Sequence, residues 1–229
     1  SEYSKKLCNE LYAKSRTLPL QKITTGIDTN LFSPPDSKKA VRARIGIPEE
    51  MMMFLTVRRL VPRMGLAFLI EAMAPLVKTY PNIRLYIVGE GPLYQVLEKQ
   101  IHRLNLQDNV VLTGRIRQTD LPLWYQSADC FILSTRAYEG LGIATLEALS
   151  SGLPVLGTPV GATEEILKDV DGRLLFKSAT TEDMRAGIEW FLQEGHLLDL
   201  KGRALVESRY TWDIAGKELE NALKSIDVN

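Results

Sequence analysis

The sequence lacks an excess of either charge, since 28 lysines and arginines balance 28 aspartates and glutamates. A surface without a basic excess gives no support for binding to nucleic acid or to an anionic membrane. No apolar run approaches the roughly 20 residues that a membrane-spanning helix requires, and no signal-peptide pattern follows Ser1. We therefore expect a soluble, cytoplasmic protein.

Cysteine and histidine are also scarce. Cys8 lies in an N-terminal helical stretch, and Cys130 lies in an apolar run where a thiol packs as a small core residue, which favours a reducing compartment. We interpret His102 and His196 as surface residues rather than catalytic bases. No Cys/His or Asp-X-Asp cluster with ligand spacing lies near a predicted strand end, so we expect no metal cofactor.

What the sequence does contain is an alternation of short apolar runs and amphipathic stretches, which is typical of parallel βαβ units. Strands are predicted over residues 52–57, 83–88, 110–113, 130–133, 155–157 and 174–176. Helices are predicted over 65–78, 92–103, 120–127, 143–151, 163–167 and 181–192. This order predicts an α/β fold with a Rossmann-like doubly wound parallel sheet flanked by helices, whose ligand lies at the carboxyl ends of the strands.

The two ends of the chain differ from this middle region. A helix is predicted over residues 2–13 and a short strand over 22–24, followed by a polar, proline-containing connector that ends near residue 35. At the other end, Leu219, Leu223 and Ile226 recur at helical spacing and predict an amphipathic helix over 214–226.

Glu139 and Glu147 bracket a glycine-rich turn that opens a predicted helix. Gly140 and Gly142 allow unusual backbone conformations, and the helix that follows directs its free N–H groups and positive dipole toward the turn. A phosphate bound there would have one carboxylate on each side. The segment alone is also compatible with an ordinary acidic helix start. Glycines after other predicted strands favour the phosphate site, and these are Gly89, Gly91, Gly114 and Gly161.

A series of short motifs runs along nearly the whole chain. In order they are Gly26-Ile27-Asp28, Arg59-Leu60, Val88-Gly89-Glu90-Gly91-Pro92, Thr113-Gly114, Ala128-Asp129, Glu139-Gly140-Leu141-Gly142, Leu146-Glu147-Ala148, Gly152-Leu153-Pro154, Glu165-Ile166 and Asp171-Gly172. In this order and spacing the chain resembles the C-terminal, donor-binding half of a retaining glycosyltransferase of the GT-B fold, in family 4 (glycosyl transferases group 1).

The resemblance implies a domain organisation and an activity. Residues 1–35 would be a remnant of an N-terminal acceptor domain with the interdomain connector, 36–209 the nucleotide-sugar-binding domain, and 210–229 a helix that packs on the N-terminal domain. The full-length enzyme would transfer a hexose from a nucleoside-diphosphate sugar to an acceptor hydroxyl with retention, without a metal. Without its acceptor domain the chain alone would be inactive, and membrane association would occur only through that domain.

The resemblance also implies roles for individual residues. Arg59 would contact the donor diphosphate, Glu139 the hydroxyls of the transferred sugar and Glu147 the ribose, so Glu139 and Arg59 are the expected catalytic residues. Arg115 and Ile116 would lie at the base. The remaining donor-binding residues would be Gly89 and Gly91 and the backbone of Gly140, Leu141, Gly142 and Ile143, which would surround the diphosphate.

Two positions depart from the family pattern. Arg58 stands where a glycine is usual, and Met64 stands where a diphosphate-binding lysine is usual. Loss of one charge-assisted hydrogen bond costs roughly 1.5–3 kcal/mol. We hypothesise that Arg58 or Arg63 supplies the missing charge. The alternative is a non-catalytic nucleotide-sugar-binding or scaffold module with a weakened donor site.

A nicotinamide-dependent dehydrogenase is a second alternative, because Gly89-Glu90-Gly91 follows a predicted strand. The dinucleotide fingerprint requires a third glycine and an acidic residue at the end of the next strand. Neither is present in this sequence, so the pattern favours the transferase.

Overall fold

The fold is built around a parallel sheet of five strands, seen in a computed structural model that describes residues 1–11, 21–198 and 201–226. The strands are β1 (Met52–Val57), β2 (Ile83–Val88), β3 (Val110–Gly114), β4 (Cys130–Leu133) and β5 (Val155–Gly157). Their order in the sheet is β3-β2-β1-β4-β5. The chain reverses its direction across the sheet between β3 and β4, as in doubly wound folds. The Rossmann-like prediction is confirmed.

Helices connect the strands and flank the sheet. In the described ranges they are α1 (Glu2–Leu11), α2 (Lys38–Ile45), α3 (Leu66–Thr79), α4 (Tyr94–Arg103), α5 (Leu121–Ser127), α6 (Ile143–Ser150), α7 (Ala162–Val170), α8 (Thr181–Glu194), α9 (Gly202–Arg209) and α10 (Trp212–Ile226). Short 3-10 turns span Pro62–Met64, Gly172–Leu174 and Gly195–Leu197. None of the helices in these ranges is long and apolar enough to cross a membrane.

The core lies on both faces of the central strands. Phe54 and Leu55 of β1 and Phe131 and Ile132 of β4 are all fully buried. Such uninterrupted burial is expected when helices cover both faces of a parallel sheet. It explains why these strands appear in the sequence as continuous apolar runs rather than as alternating patterns.

Two predicted strands are wrong. Residues 22–24 form no strand, and the backbone N–H of Thr24 instead donates to Glu218 of α10 at 2.7 Å. Residues 174–176 make only one isolated bridge, between Leu175 and Gly157, after the turn Gly172–Leu174. Because Leu174 belongs to the 3-10 turn, too few extended residues remain to lengthen this bridge into a sixth strand.

The helix predictions are confirmed to within a few residues, with two omissions. The helices α2 and α9 were not predicted, and the end of the predicted N-terminal helix at 12–13 lies outside the described residues. The start of α2 has an N-cap, since the hydroxyl of Ser37 accepts a hydrogen bond from Ala40 N–H at 3.3 Å. Its end is set by Gly46 in the left-handed conformation.

Arg42 fastens α2 to the amino-terminal edge of the sheet. Its Nε donates to the Ser127 carbonyl at 2.9 Å, and its Nη1 donates to the Met51 carbonyl at 3.0 Å. Its Nη2 is 2.5 Å from the carboxylate of Asp129, which also accepts from Met53 N–H at 2.7 Å. The Arg42 side chain is almost fully buried, so its charge depends on these partners.

We predict that Arg42→Met destabilises the domain by about 3 kcal/mol, because the carbonyls of Ser127 and Met51 would lose a buried donor and Asp129 would keep only the partly exposed Lys38 as its cation. Urea unfolding followed by circular dichroism measures this change. Arg44→Met is the matched control, since Arg44 lies on the same helix but is exposed, and it should change stability by less than about 0.5 kcal/mol. Equal effects of the two variants would contradict the assignment.

Candidate donor-binding site

A cavity of about 720 Å³ opens at the carboxyl ends of β1, β2 and β3. Parallel strands place the loops that follow them at one edge of the sheet, which is where ligands bind in such folds. The cavity brings together six of the residues singled out in the sequence, namely Arg58, Arg59, Gly89, Gly91, Arg115 and Ile116. These residues come from three separate loops, so the fold alone accounts for their proximity.

The cavity carries exposed positive charge. Arg59 is exposed, and its guanidinium makes no hydrogen bond or ion pair with the residues that the structure describes. Arg115 lies 3.7 Å from Glu90, and both side chains are largely exposed, a geometry that contributes little energy. Both guanidinium groups are therefore available to an anionic ligand.

Gly89 fixes the loop after β2 against the loop after β1. Its φ is +146°, and a Cβ at this position would lie 1.8 Å from the Arg58 carbonyl oxygen. The Arg58 N–H also donates to the Val88 carbonyl at 2.9 Å. The two loops touch backbone to backbone here, so a side chain at position 89 would push Arg58 away from the sheet.

The Arg58 side chain is held in a nearly buried ion pair with Glu139. Its Nη2 contacts the Oε2 of Glu139 and also lies 2.6 Å from Thr135 Oγ1 and 3.1 Å from the sulfur of Met64. Thr135 Oγ1 donates to the same Glu139 oxygen at 2.8 Å. The two charged side chains are 8% and 9% exposed. Arg58 thus connects the cavity to the glutamate that precedes the glycine turn, by which we mean residues 140–142.

Arg63 contacts a different group. Its Nη1 donates to the carbonyl of Tyr138 at 3.1 Å on the surface. Tyr138 has a left-handed backbone, with a φ of +57°, which is rare for an aromatic residue and concentrates at functional sites. Of the two arginines considered as substitutes for a lysine at position 64, only Arg58 contacts Met64 among the described hydrogen bonds.

The backbone of Glu139 is fixed by Gly161. The carbonyl of Glu139 accepts a hydrogen bond from Ala162 N–H at 3.1 Å. A Cβ on Gly161, whose φ is +60°, would lie 2.0 Å from that carbonyl oxygen. The loop after β5 can therefore approach Glu139 only because position 161 is glycine.

The glycine turn leads directly into α6. Gly142 is in the left-handed conformation with a φ of +72°, and the first N–H groups of the helix have no partner within the helix itself. Ile143 is 54% exposed at the helix start. The cavity lined by Arg58, Arg59 and Arg115 is called the arginine cavity below. Leu141 does not line it but lines a separate cavity of about 650 Å³, which Ser1 and Lys22 also line.

The N-terminal helix α1 lies against this turn. The hydroxyls of Ser1 and Ser4 donate to the carbonyl of Gly140 at 2.5 and 3.2 Å. Glu165 of α7 accepts hydrogen bonds from the first two backbone N–H groups of α1, at 3.2 Å from Glu2 and 2.7 Å from Tyr3. The segment predicted to belong to another domain thus contacts the candidate donor site.

Glu147 projects from α6 into a partly buried position. Its Oε2 accepts a hydrogen bond from the hydroxyl of Tyr125 at 2.7 Å. Burial raises the pKa of Glu147 above its ordinary value, and the Tyr125 hydrogen bond opposes part of that rise. Burial, reinforced by the charge of Glu147, raises the pKa of Tyr125 far above its ordinary range, so the phenol remains a donor.

Sequence reasoning missed several partners of these residues. Tyr125 and Thr135 hold the two glutamates, and Ser4 contacts the glycine turn. Tyr125 lies in a short apolar helix and resembles any core aromatic residue, so the sequence gives no signal for its role. In the ranges described, no group of three or more His, Cys, Asp or Glu residues could hold a metal ion.

The model of the family described as "Glycosyl transferases group 1" matches residues 37–206, which is most of the chain. The chain therefore belongs to the glycosyl transferases group 1 family. A GDP-mannose-dependent monoacylated alpha-(1-6)-phosphatidylinositol monomannoside mannosyltransferase of Corynebacterium glutamicum is 30% identical over 216 residues, which cover 89% of this chain and 55% of that protein. The chain thus spans about half the length of this relative.

Solved structures share the fold. The C-terminal domain of a glycosyl transferase group 1 family protein from Francisella tularensis superimposes with a TM-score of 0.71 at 24% identity, covering 82% of this chain and 100% of that one. Anabaena HepE in complex with UDP-glucose gives a TM-score of 0.79 at 23% identity, covering 90% of this chain and 57% of that one. The fold is that of the C-terminal half of GT-B glycosyltransferases.

We predict that Glu147→Gln stabilises the unliganded domain at neutral pH. A carboxyl whose pKa is raised on folding contributes stability below its ordinary value of 4.5 and loses that contribution as pH rises through the native value. Glutamine carries no such titration and can still accept from Tyr125. The melting temperature of Glu147→Gln should therefore exceed that of the wild type at pH 8, and the difference should shrink at pH 5.

Glu164→Gln is the control for this comparison, because Glu164 is a partly exposed residue of α7 that pairs with Lys168 on the surface. Its melting temperature should follow that of the wild type at both pH values. A Glu147→Gln variant that is less stable than the wild type at pH 8 would contradict the burial argument.

Proposed function

We propose that this chain is the donor-binding half of a retaining glycosyltransferase that uses a nucleoside-diphosphate sugar. One observation carries the proposal. Arg58 both lines the arginine cavity and contacts Glu139 before the glycine turn, so the two parts of the candidate site are continuous. A cationic cavity joined to a helix N-terminus suits a diphosphate, and the adjoining carboxylates suit hydroxyl-rich groups.

The roles proposed for individual residues follow their chemistry. Arg59 is exposed and without a partner among the described residues, so it can hold diphosphate oxygens with its planar guanidinium. The backbone of the glycine turn adds N–H groups that can donate to the same diphosphate. Arg115 and Ile116 also line the cavity, where an exposed cation and an apolar contact suit a nucleobase.

The two glutamates would bind the sugars. Both accept hydrogen bonds and donate none when ionised, so each selects a hydroxyl-bearing partner. We assign Glu147 to the ribose and Glu139 to the transferred hexose. Arg59, the turn and Arg58 would neutralise the leaving diphosphate, which is the electrostatic contribution that usually dominates catalysis.

The whole enzyme would require a second domain. The chain spans about half of its curated relative, and α10 exposes Trp212, Leu219 and Leu223. We propose that α10, with residues 210–229, and the segment 1–35 pack on an acceptor domain, with 36–209 as the donor-binding unit. The contact of Ser4 with Gly140 supports a cleft in which α1 reaches the donor.

A second candidate is a nucleotide-sugar-binding module without turnover. Met64 favours such a module, because a thioether cannot neutralise phosphate. The ion pair of Arg58 with Glu139 also reduces the positive charge that Arg58 can contribute to a bound diphosphate. Binding without transfer by the full-length protein would identify such a module. Transfer of sugar from a nucleoside-diphosphate sugar would exclude it.

We predict that one nucleoside diphosphate stabilises the chain in a thermal-shift titration with UDP, GDP, ADP and NAD. A ligand at a hundred times its dissociation constant adds about 2.7 kcal/mol. For a domain of this size each kcal/mol raises the melting temperature by about 2–4 °C. Glu147→Gln should weaken this binding by about tenfold, because a neutral amide forms weaker hydrogen bonds to ribose hydroxyls.

The same variant thus separates stability from binding, since it should melt higher without nucleotide and gain less with it. Arg173→Gln is the control, because Arg173 forms a surface ion pair with Asp171 away from the cavity. It should respond to nucleotide as the wild type does. A shift with NAD alone, or with none of the four, would refute the proposed donor site.

A further inference from the structure

The ion pair between Arg58 and Glu139 has an unusual distribution of contacts. One nitrogen of the guanidinium, Nη2, makes all three recorded side-chain contacts, to Glu139, Thr135 and Met64. The Nε of the same side chain is buried and has no hydrogen-bond partner among the described atoms. The pair therefore uses one nitrogen of the guanidinium, and it lacks the bidentate geometry that makes arginine hard to replace.

The carboxylate is equally one-sided. Oε2 of Glu139 accepts from both Arg58 and Thr135, whereas Oε1 accepts no hydrogen bond from any described residue. A nearly buried carboxylate is held in one orientation by such contacts, and its free oxygen remains available to one further donor. The cation and the threonine thus leave Oε1 as the oxygen of Glu139 without a hydrogen-bond partner among the described residues.

Position 64 lies close enough to Arg58 that a cationic side chain there would reach the same carboxylate. The sulfur of Met64 is 3.1 Å from Nη2, and its side chain is buried at the end of the 3-10 turn Pro62–Met64. A lysine at position 64 is one atom longer than methionine, so its ammonium would lie one bond beyond the position of the terminal methyl. Positions 58 and 64 therefore reach the same point from two sides, one from the end of β1 and one from the turn.

We propose that positions 58 and 64 form one cation site, filled here by Arg58, and that this cation is a positioning residue that presents Glu139 Oε1 to the hexose of the donor. The inference rests on the proposed function for its ligand. It predicts that the charge can be supplied from either position, because the contacts need only one nitrogen. It also predicts that two cations are unfavourable, because both would compete for a single carboxylate oxygen.

The test compares four variants by melting temperature and by calorimetric titration with UDP, GDP, UDP-glucose and GDP-mannose. The variants are Arg58→Gln, Arg58→Lys, Met64→Lys and the double variant Arg58→Gln with Met64→Lys. Arg58→Gln should lower the melting temperature, since it leaves Glu139 buried without a counter-charge. Arg58→Lys and the double variant should restore it, and Met64→Lys alone should lower it.

Sugar discrimination supplies a readout that a purely structural role would leave unchanged. The quantity is the affinity for a nucleoside-diphosphate sugar divided by that for the matching nucleoside diphosphate. Arg58→Gln should reduce this ratio by about tenfold, the equivalent of one charge-assisted hydrogen bond. Arg58→Lys and the double variant should return it to the wild-type value. Arg173→Gln, a matched substitution in a surface ion pair, should change neither readout.

The outcomes separate this inference from the proposed function. If the wild type bound none of the four ligands, the donor site would be refuted. The melting temperatures would still decide whether the cation can be supplied from either position 58 or position 64. If the wild type bound nucleotides and Arg58→Gln kept the same ratio, the positioning role of Arg58 would be refuted. A double variant no more stable than Arg58→Gln would refute the shared cation site.

Discussion

The site depends on two close backbone contacts, each made possible by a glycine. Gly89 holds the backbone of Arg58, and Gly161 holds the backbone of Glu139. The side chains of those two residues then meet in a nearly buried ion pair. A strong pair needs accurate geometry to offset the cost of removing two charges from water. The glycines supply that geometry, because they fix both ends of the pair to loops anchored on the sheet.

Most of the fold follows from the sequence, since the buried strands are apolar runs, and the exceptions have physical causes. The polar helix 38–45 depends on Arg42 being buried, which no periodicity reveals, and the strand predicted at 174–176 is cut short by the 3-10 turn Gly172–Leu174. The site is less predictable. Arg58 and Arg59 are adjacent and chemically identical, and only the packed structure shows that Arg58 is paired, whereas Arg59 has no partner within the described ranges.

The two glutamates that bracket the glycine turn are held in different ways. Glu139 contacts a cation and a hydroxyl, so its charge is compensated within the protein. Among the residues that the structure describes, the Glu147 carboxylate has a hydrogen bond only from the neutral phenol of Tyr125, and burial raises the pKa of Glu147. One carboxylate is therefore fixed and electrically balanced before any ligand arrives. The other carries a desolvation cost that further hydrogen-bond donors would reduce.

That cost has a consequence beyond binding itself. A protein whose folded state contains an incompletely compensated carboxylate is unfolded more often when empty than when a hydroxyl-bearing ligand covers Glu147. Proteases and chaperones act on the unfolded fraction, so its size influences how long the chain persists. On the proposed function, a donor that covers Glu147 would lower the unfolded fraction and so lengthen the time for which the chain persists.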